Sequence, residues 1–305
     1  MPNISPRQLE AFVAVATTGS VGRAAQAIHL SQPAVSMALA ELERMLGQAL
    51  FDRVGRRLLL NEAGSALLPR AHEVLERLRE LPASLAPSAA PGGQLHIGAS
   101  NTVGNYLVGE LLGGFVSAHP QVAVHLTIAN TEQIVAQVNR FALDVGCVEG
   151  AVTHPDIEVL PWRQDRLVVC ARPDHPLARR RRLAARDFRE VRWILREHGS
   201  ATRALTERAL AALPPAAGLL ELGQSEAIKQ AVIAGLGIAC LPEVAIADAL
   251  AAGKLRVLST AFLDLRRNLS LVVHRKRYRG PLLQGFLDST RSAAPAPRGG
   301  RRSTA

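Results

Sequence analysis

Between residues 82 and 93 the chain carries three prolines, Pro82, Pro87 and Pro91, and ends on Gly92-Gly93. Proline lacks the amide hydrogen that a helix or a sheet ladder needs, and glycine loses the most freedom on ordering, so no regular element runs through this stretch. The hydrophobic rhythm changes at the same place. From Ser5 to about residue 85 apolar residues recur at helical spacing, whereas beyond residue 91 short runs rich in Val, Ile and Leu alternate with helical patterns. The runs are LHIGA (95–99), VAVHLTI (122–128), LDVGCV (143–148), RLVVCA (166–171), WIL (193–195), GIACL (237–241) and LSLVVH (269–274). Strands alternating with helices predict a parallel-rich α/β body behind a helical head, with the boundary near residue 90.

At 305 residues, 48% hydrophobic and 20% charged, the chain is too apolar for intrinsic disorder. Its first residues lack the basic flank and apolar run of a signal peptide. The longest charge-free stretch, Leu81 to Gly109, is too broken by Pro and Gly to span a membrane. Cys147, Cys170 and Cys240 are odd in number and far apart, which predicts buried reduced thiols in a cytoplasmic protein, with no disulfide framework and no metal. The net charge of +10 is a weak guide to partners, because of where it lies. Residues 1–90 hold nine Arg against eight acids, residues 91–290 hold 23 bases against 18 acids, and residues 291–305 hold four Arg and no acid. Arg179 to Arg182 read as a solvated loop and residues 291–305 as a disordered tail.

Within the head, Ser5 with Pro6 opens a helix whose Leu9, Phe12, Val13 and Ala16 share a face, and Thr17-Thr18-Gly19 closes it. Ser20 caps a short second helix in which Ala24 and Ala25 permit a close crossing. Ser31 caps a third, with Val35, Leu39, Leu42 and Leu46 buried. Left outside at its N-terminal end are Gln32, Pro33, Ser36, Met37 and Ala40, which suit a DNA groove. Gln bonds an adenine edge with two hydrogen bonds, Ser bonds bases or phosphate, and Pro, Met and Ala touch thymine methyls. An ordinary three-helix core has the same spacing. Residues 50–60 add a wing, two extended arms around a Gly55 tip bearing Arg53, Arg56 and Arg57. Asn61 then caps a long helix with a seam of Leu67, Ala71, Val74, Leu78 and Leu81, flanked by Leu68 and Leu75. That seam needs cover, from a second copy of the helix or from its own chain.

The segment LEAFVAVATTGSVGRAAQAIHLSQPAVSMALAELERMLGQALFDRVGRRLLLNEAG resembles the winged helix–turn–helix of LysR-type transcriptional regulators. The resemblance rests on Phe12, Gly19-Ser20, Ala24-Ala25, the run Ser31-Gln32-Pro33-Ala34-Val35-Ser36, Leu42-Glu43, Leu50-Phe51, Arg53 and Ala63-Gly64. Asp52 and Asn61 depart from the usual Glu and Thr while keeping a carboxylate and a cap. The likeness extends over nearly the whole chain. It implies a DNA-binding domain (1–60), a linker and dimerisation helix with hinge (61–90), an α/β effector domain of two subdomains like a periplasmic solute-binding protein (91–290), and a tail (291–305). It further implies a homotetramer, a dimer of dimers on promoter DNA, with a small-molecule effector in the cleft. Gln32, Pro33, Ser36 and Met37 would face bases, and Arg53, Arg56 and Arg57 the backbone or minor groove.

Open α/β sheets bind ligands beyond their strand carboxyl ends. Three strand-to-helix turns put Ser100, Asn101, Thr102, Thr131, Ser200 and Thr202 at positive helix ends, an arrangement that favours a small anion, although each residue alone reads equally as a cap. Glu149 closes a strand, where it accepts from a protonated ligand or from Arg203, or sits in an exposed turn. The phrases SNTVGNYL, ANTEQI, LDVGCVEG, ILREHGSATR and SEAIKQAVIAGLGIACLP resemble the sulfur-metabolism branch of the family, which implies sulfite or another small oxyanion. Gly235-Leu236-Gly237 precedes a strand rather than a helix, no phosphate-binding loop occurs, and the nine His lack paired ligand spacing, so no cofactor and no catalytic residue is expected. The alternative from a different class is an α/β enzyme with an appended helical head.

Overall fold

The computed structural model describes residues 3–55, 57–84 and 92–292. Local capping builds the head. The Ser5 hydroxyl accepts from the Gln8 N–H while the Gln8 side chain accepts from the Ser5 N–H, and α1 (Pro6–Thr18) follows, stopping at Gly19 with a left-handed φ of +67°. α2 (Val21–Ala27) buries Ala24 and Ala25, though Ser20 makes no side-chain cap bond. Ser31 caps α3 (Gln32–Leu46) by accepting from the Ala34 N–H, and Val35, Leu39 and Leu42 point into a core with Phe12 and Val15. Burying one such side chain contributes about 1.5–3 kcal/mol relative to leaving it exposed. β1 (Phe51–Val54) and β2 (Arg57–Leu60) form the antiparallel wing, and the Leu58 N–H donates to the Gly19 carbonyl at 3.0 Å, which docks the wing on the end of α1. Arg56 at its tip, the boundary at residue 90 and the tail from residue 293 lie outside the described residues.

Asn61 caps α4 (Glu62–Ser84): its Oδ1 accepts from the Gly64 N–H and its Nδ2 donates to the Ala49 carbonyl. The expected seam divides in two. Leu68, Ala71 and Leu75 are buried against the head's own core, with Leu67 half-buried, while Val74, Leu78 and Leu81 stay 45%, 39% and 57% exposed. A helix 23 residues long outruns the small head, so the head core covers the first part of the seam, and Val74 and Leu78 stay exposed.

The body begins with β3 (Gly93–Ser100), α5 (Asn101–Tyr106), α6 (Val108–Ala118), β4 (Val122–Ala129), α7 (Thr131–Asn139) and β5 (Val145–Glu149). The sequence reads a single helix after Ser100. The backbone instead leaves helical dihedrals at Leu107 (φ −122°, ψ 6°), whose side chain is buried, and so makes two helices. β6 (Ile157–Ala171) leads to β7 (Arg192–Leu195), α8 (Ala201–Leu210), β8 (Gly218–Glu221), α9 (Ser225–Ile233), β9 (Ile238–Pro242), α10 (Glu243–Ala251) and β10 (Arg256–Val257). β11 (Arg266–His274) and α11 (Pro281–Ser292) complete the described chain, so the helix takes in the first two residues read as tail.

The sheet order is β4-β3-β5-β11-β6-β9-β7-β8, with β10 beside β6. Parallel pairs occupy both ends, β4-β3-β5 and β9-β7-β8, and the antiparallel pair β6 and β11 joins them. These two long strands make two α/β subdomains around a cleft. Pro161 cannot donate to the ladder, and the β6–β11 register shifts there: Leu269 faces Arg163 and Ser270 faces Pro161, so Trp162 is the extra residue and turns into the first subdomain's core. Each subdomain packs apolar side chains on both sheet faces.

Candidate functional site

Two surfaces carry candidate chemistry. On the head, Gln32, Pro33, Ser36, Met37 and Ala40 are all exposed on one side of α3, Met37 at 73%, because the four-three spacing of Val35, Leu39 and Leu42 turns the opposite side inward. Arg53 and Arg57 on the two wing strands are exposed as well. Among the described residues, Gln32, Ser36, Arg53 and Arg57 make no side-chain hydrogen bond, so their donors and acceptors face solvent. Arg179 to Arg182 are also exposed, with Arg180 paired to Asp187.

In the body, Ser100, Asn101, Thr102, Thr131, Glu149, Ser200 and Thr202 are all buried. Their organiser is Arg267, which no strand-end pattern indicates. This guanidinium enters from β11 with its side chain 2% exposed and pairs with Asp165 at 2.6 Å. It also donates to the Thr102 hydroxyl of the first subdomain and the Thr202 hydroxyl of the second, both at 2.9 Å. One side chain thereby ties the two subdomains together across the cleft.

Glu149 is no exposed turn, and it does not meet Arg203. It lies 4.0 Å from Arg267 and accepts from the Thr102 N–H at 2.8 Å and from the Thr131 hydroxyl at 3.4 Å. Arg203 is turned away, bonded to Glu207, Glu221 and the Arg196 carbonyl on its own subdomain. Burial pushes the Glu149 carboxyl up, but the Arg267 guanidinium and the Thr102 hydrogen bonds outweigh it and hold the pKa below the ordinary carboxylate value. The anion position read at the start of α5 is therefore filled by a carboxylate of the chain itself.

The other two helix ends differ. Asn130 caps α7 and Ser200 caps α8, and the two ends meet: Asn130 Nδ2 donates to the His198 carbonyl at 3.2 Å and the Glu132 N–H donates to the Gly199 carbonyl at 3.2 Å. Thr131 and Ser200 border a cavity of about 870 Å³ between the subdomains, whose wall also includes His154, Arg208, Arg266 and Arg267. Deeper on the second subdomain, buried Arg196 pairs with Glu197 and donates to Ser225 at 3.2 Å, another contact the sequence did not flag. Among the described residues no group of three or more His, Cys, Asp or Glu is placed to hold a metal, and no helix is long and apolar enough to cross a membrane.

A winged helix–turn–helix with an exposed reading face, carried by a helix to two α/β subdomains around a buried cleft, defines a ligand-responsive DNA-binding regulator. Residues 6–65 match the bacterial regulatory helix-turn-helix protein of the lysR family, and residues 88–295 match the LysR substrate binding domain. The chain belongs to the LysR family of transcriptional regulators, and its body is the family's effector-binding domain. It is 40% identical over 287 residues to the uncharacterized HTH-type transcriptional regulator YeiE of Escherichia coli, covering 94% of this chain and 97% of that one. A full-length OxyR variant from Pseudomonas aeruginosa shares the fold with a TM-score of 0.74 at 23% identity, over 96% of this chain and 97% of that chain. The Synechocystis CcmR regulatory domain in complex with 2-PG superposes with a TM-score of 0.62 at 28% identity, over 66% of this chain and 97% of that one.

Proposed function

We propose that this LysR-type regulator reads promoter DNA with the N-terminal face of α3 and answers to a small oxyanion in the cleft, binding its ligand without turning it over. The observation that carries the first part is the exposed group Gln32, Pro33, Ser36 and Met37 beside the Arg53 and Arg57 wing, since a helix–turn–helix presents this end of its second helix to base edges. The wing arginines, with Arg56, grip phosphates or the minor groove. The protein works in the cytoplasm, where promoter DNA is. Footprinting on the DNA upstream of its own gene tests this reading, with a discrete protected site expected.

For the ligand, the hydroxyls of Thr102 and Thr202 meet the charge of Arg267, and Ser100, Asn101, Thr131 and Ser200 are buried at the neighbouring strand ends. Arg267 already faces two carboxylates, Glu149 and Asp165, so an anion fits here only by taking the place of the Glu149 carboxylate at the Thr102 N–H. Sulfite, a small oxyanion, is the ligand we propose for this exchange. Glu149→Gln removes the competing charge and should tighten sulfite binding in calorimetry. Weaker binding in the variant would mean that the ligand donates to Glu149, and no heat with sulfite or sulfate would remove the oxyanion.

The working form is a homotetramer. The bare Val74 and Leu78 on α4 offer one apolar contact for a second copy, and the sheet offers further edges at β4, with Ile128 43% exposed, and at β8, with Leu219 63% exposed. Sedimentation of the full chain should give four copies. Val74→Glu with Leu78→Glu should leave only smaller species.

A further inference from the structure

Phe141 belongs to the sensor by sequence, yet among the described residues it is the one sensor side chain in the buried apolar cluster of the head. It follows α7 directly, at the position where a helix closes by a left-handed residue: Phe141 has φ +60°, and the Ala142 N–H donates back to the Gln137 carbonyl at 2.9 Å. Glycine suits such a position; a bulky side chain there is strained and persists only where its surroundings hold it. They do hold it. The ring stacks on His72 of α4 at 4.9 Å and 21°, packs against His274 at 4.4 Å, and lies 5.6 Å from the Arg277 guanidinium. Arg277 pairs with Asp144, which also accepts the His96 N–H at 2.6 Å. The His72 Nε2 is buried with no hydrogen-bond partner, so on that side ring packing makes the contact.

The opposite end of α7 is at the cleft, where Asn130 and Glu132 hold the His198–Gly199 turn of the second subdomain. Between these ends lies one straight helix of about 13 Å at 1.5 Å per residue. It is seated on the sheet at Gly98 and Gly146, where an added Cβ would stand 2.9 Å and 2.6 Å from Ile134. A rod pressed this closely against strands moves as a unit rather than bending. β11 makes the same connection, with Arg267 in the cleft and His274 under Phe141.

We propose that α7 is the lever by which the state of the cleft reaches the head, with Phe141 as the positioning residue that bears on the linker helix. The inference rests on the cleft being the sensing site. Opening the cleft frees Asn130 and Glu132 from the facing turn, lets α7 tilt, and shifts the ring beneath His72; closing it restores the contact. The contacts at both ends of α7 lie within the chain itself, so the lever is testable without DNA or ligand.

The experiment is hydrogen exchange on the full-length protein, read at residues 70–76 of α4. Phe141→Ala should speed exchange there by about tenfold, whereas Phe141→Leu, which keeps the bulk, should stay near the native rate. Asn130→Asp keeps the helix cap but loses the donor to the His198 carbonyl, so it loosens the cleft rim alone. It should speed exchange at 70–76 by about threefold in the native background and add nothing once Phe141 is alanine. An Asn130→Asp effect of equal size in both backgrounds, or none in the native one, overturns the lever. Operator binding by the native protein, measured separately, tests the regulator reading, so the two failures are told apart.

Discussion

The head and the sensor place their candidate site residues in opposite ways. On α3 and the wing, Gln32, Ser36, Arg53 and Arg57 stand in solvent with no side-chain hydrogen bond among the described residues, whereas in the cleft Thr102, Glu149, Thr202 and Arg267 are buried and bonded to one another. A partner as large as DNA must be met on the outside, so its contacts are left open. A small ligand is met by enclosure, so on the proposed reading its site has to be satisfied by the protein when the ligand is absent, the role proposed for Glu149. The difference predicts that head substitutions cost binding with little stability, and cleft substitutions cost stability first.

The largest effect should come from Arg267→Ala. It strands Glu149 and Asp165 as buried carboxylates without their cation, which costs about 3–5 kcal/mol, and denaturant unfolding of the full chain should show the loss. A cost below 1 kcal/mol would mean that water reaches the network, and the contrast with the head would fail. Next comes Gln32→Ala, expected to lose about 1–3 kcal/mol of specific DNA affinity in a titration, with the melting temperature nearly unchanged.

A pH effect should then distinguish the joint between the two regions from either one. Burial, followed by the nearby Arg277 and Arg79, lowers His72 to about 3, and burial also lowers His96 and His274. A histidine whose folded pKa is depressed contributes stability that is whole above its unfolded value of 6.5 and is lost as pH falls toward the folded value. Stability should fall between pH 6.5 and about 3, by up to about 1.4 kcal/mol per pH unit for His72. His72→Gln should flatten that slope in unfolding measured across the window. The smallest effect is local: Asn61→Ala removes the α4 cap and should cost about 1 kcal/mol, seen as faster exchange in the first turn of α4.

The same contrast governs what could be read from the sequence. Ser5, Ser31 and Asn61 act on residues three or so positions away, and the Val35, Leu39, Leu42 spacing is a property of one helix, so the head was legible almost residue by residue. The cleft was legible only on its strand-end side, where Ser100, Thr131 and Ser200 follow apolar runs. Its centre was not, because Arg267 is 165 residues from Thr102 and 102 from Asp165, and nothing local marks an arginine that will be buried. For the same reason the pattern leaves Glu149 open between a ligand, Arg203 and an exposed turn, and Arg203 is bonded elsewhere in the fold. The first part of β6 was hidden by Pro161 and by the polar stretch Arg163 to Arg166, which is no apolar run. β8, four residues long, gave too little pattern to register.

The central claim is that the exposed end of α3 reads base sequence while the rest of the chain's positive charge does not. Its most direct test is a competition titration of the full-length protein on the DNA upstream of its own gene, at two salt concentrations, beside Gln32→Ala and Ser36→Ala. The native protein should keep its preference for that DNA over competitor at the higher salt, and each variant should lose most of the preference while retaining non-specific binding. A native protein that binds only at low salt and without preference, or variants that prefer the same site as strongly as it does, would contradict the account.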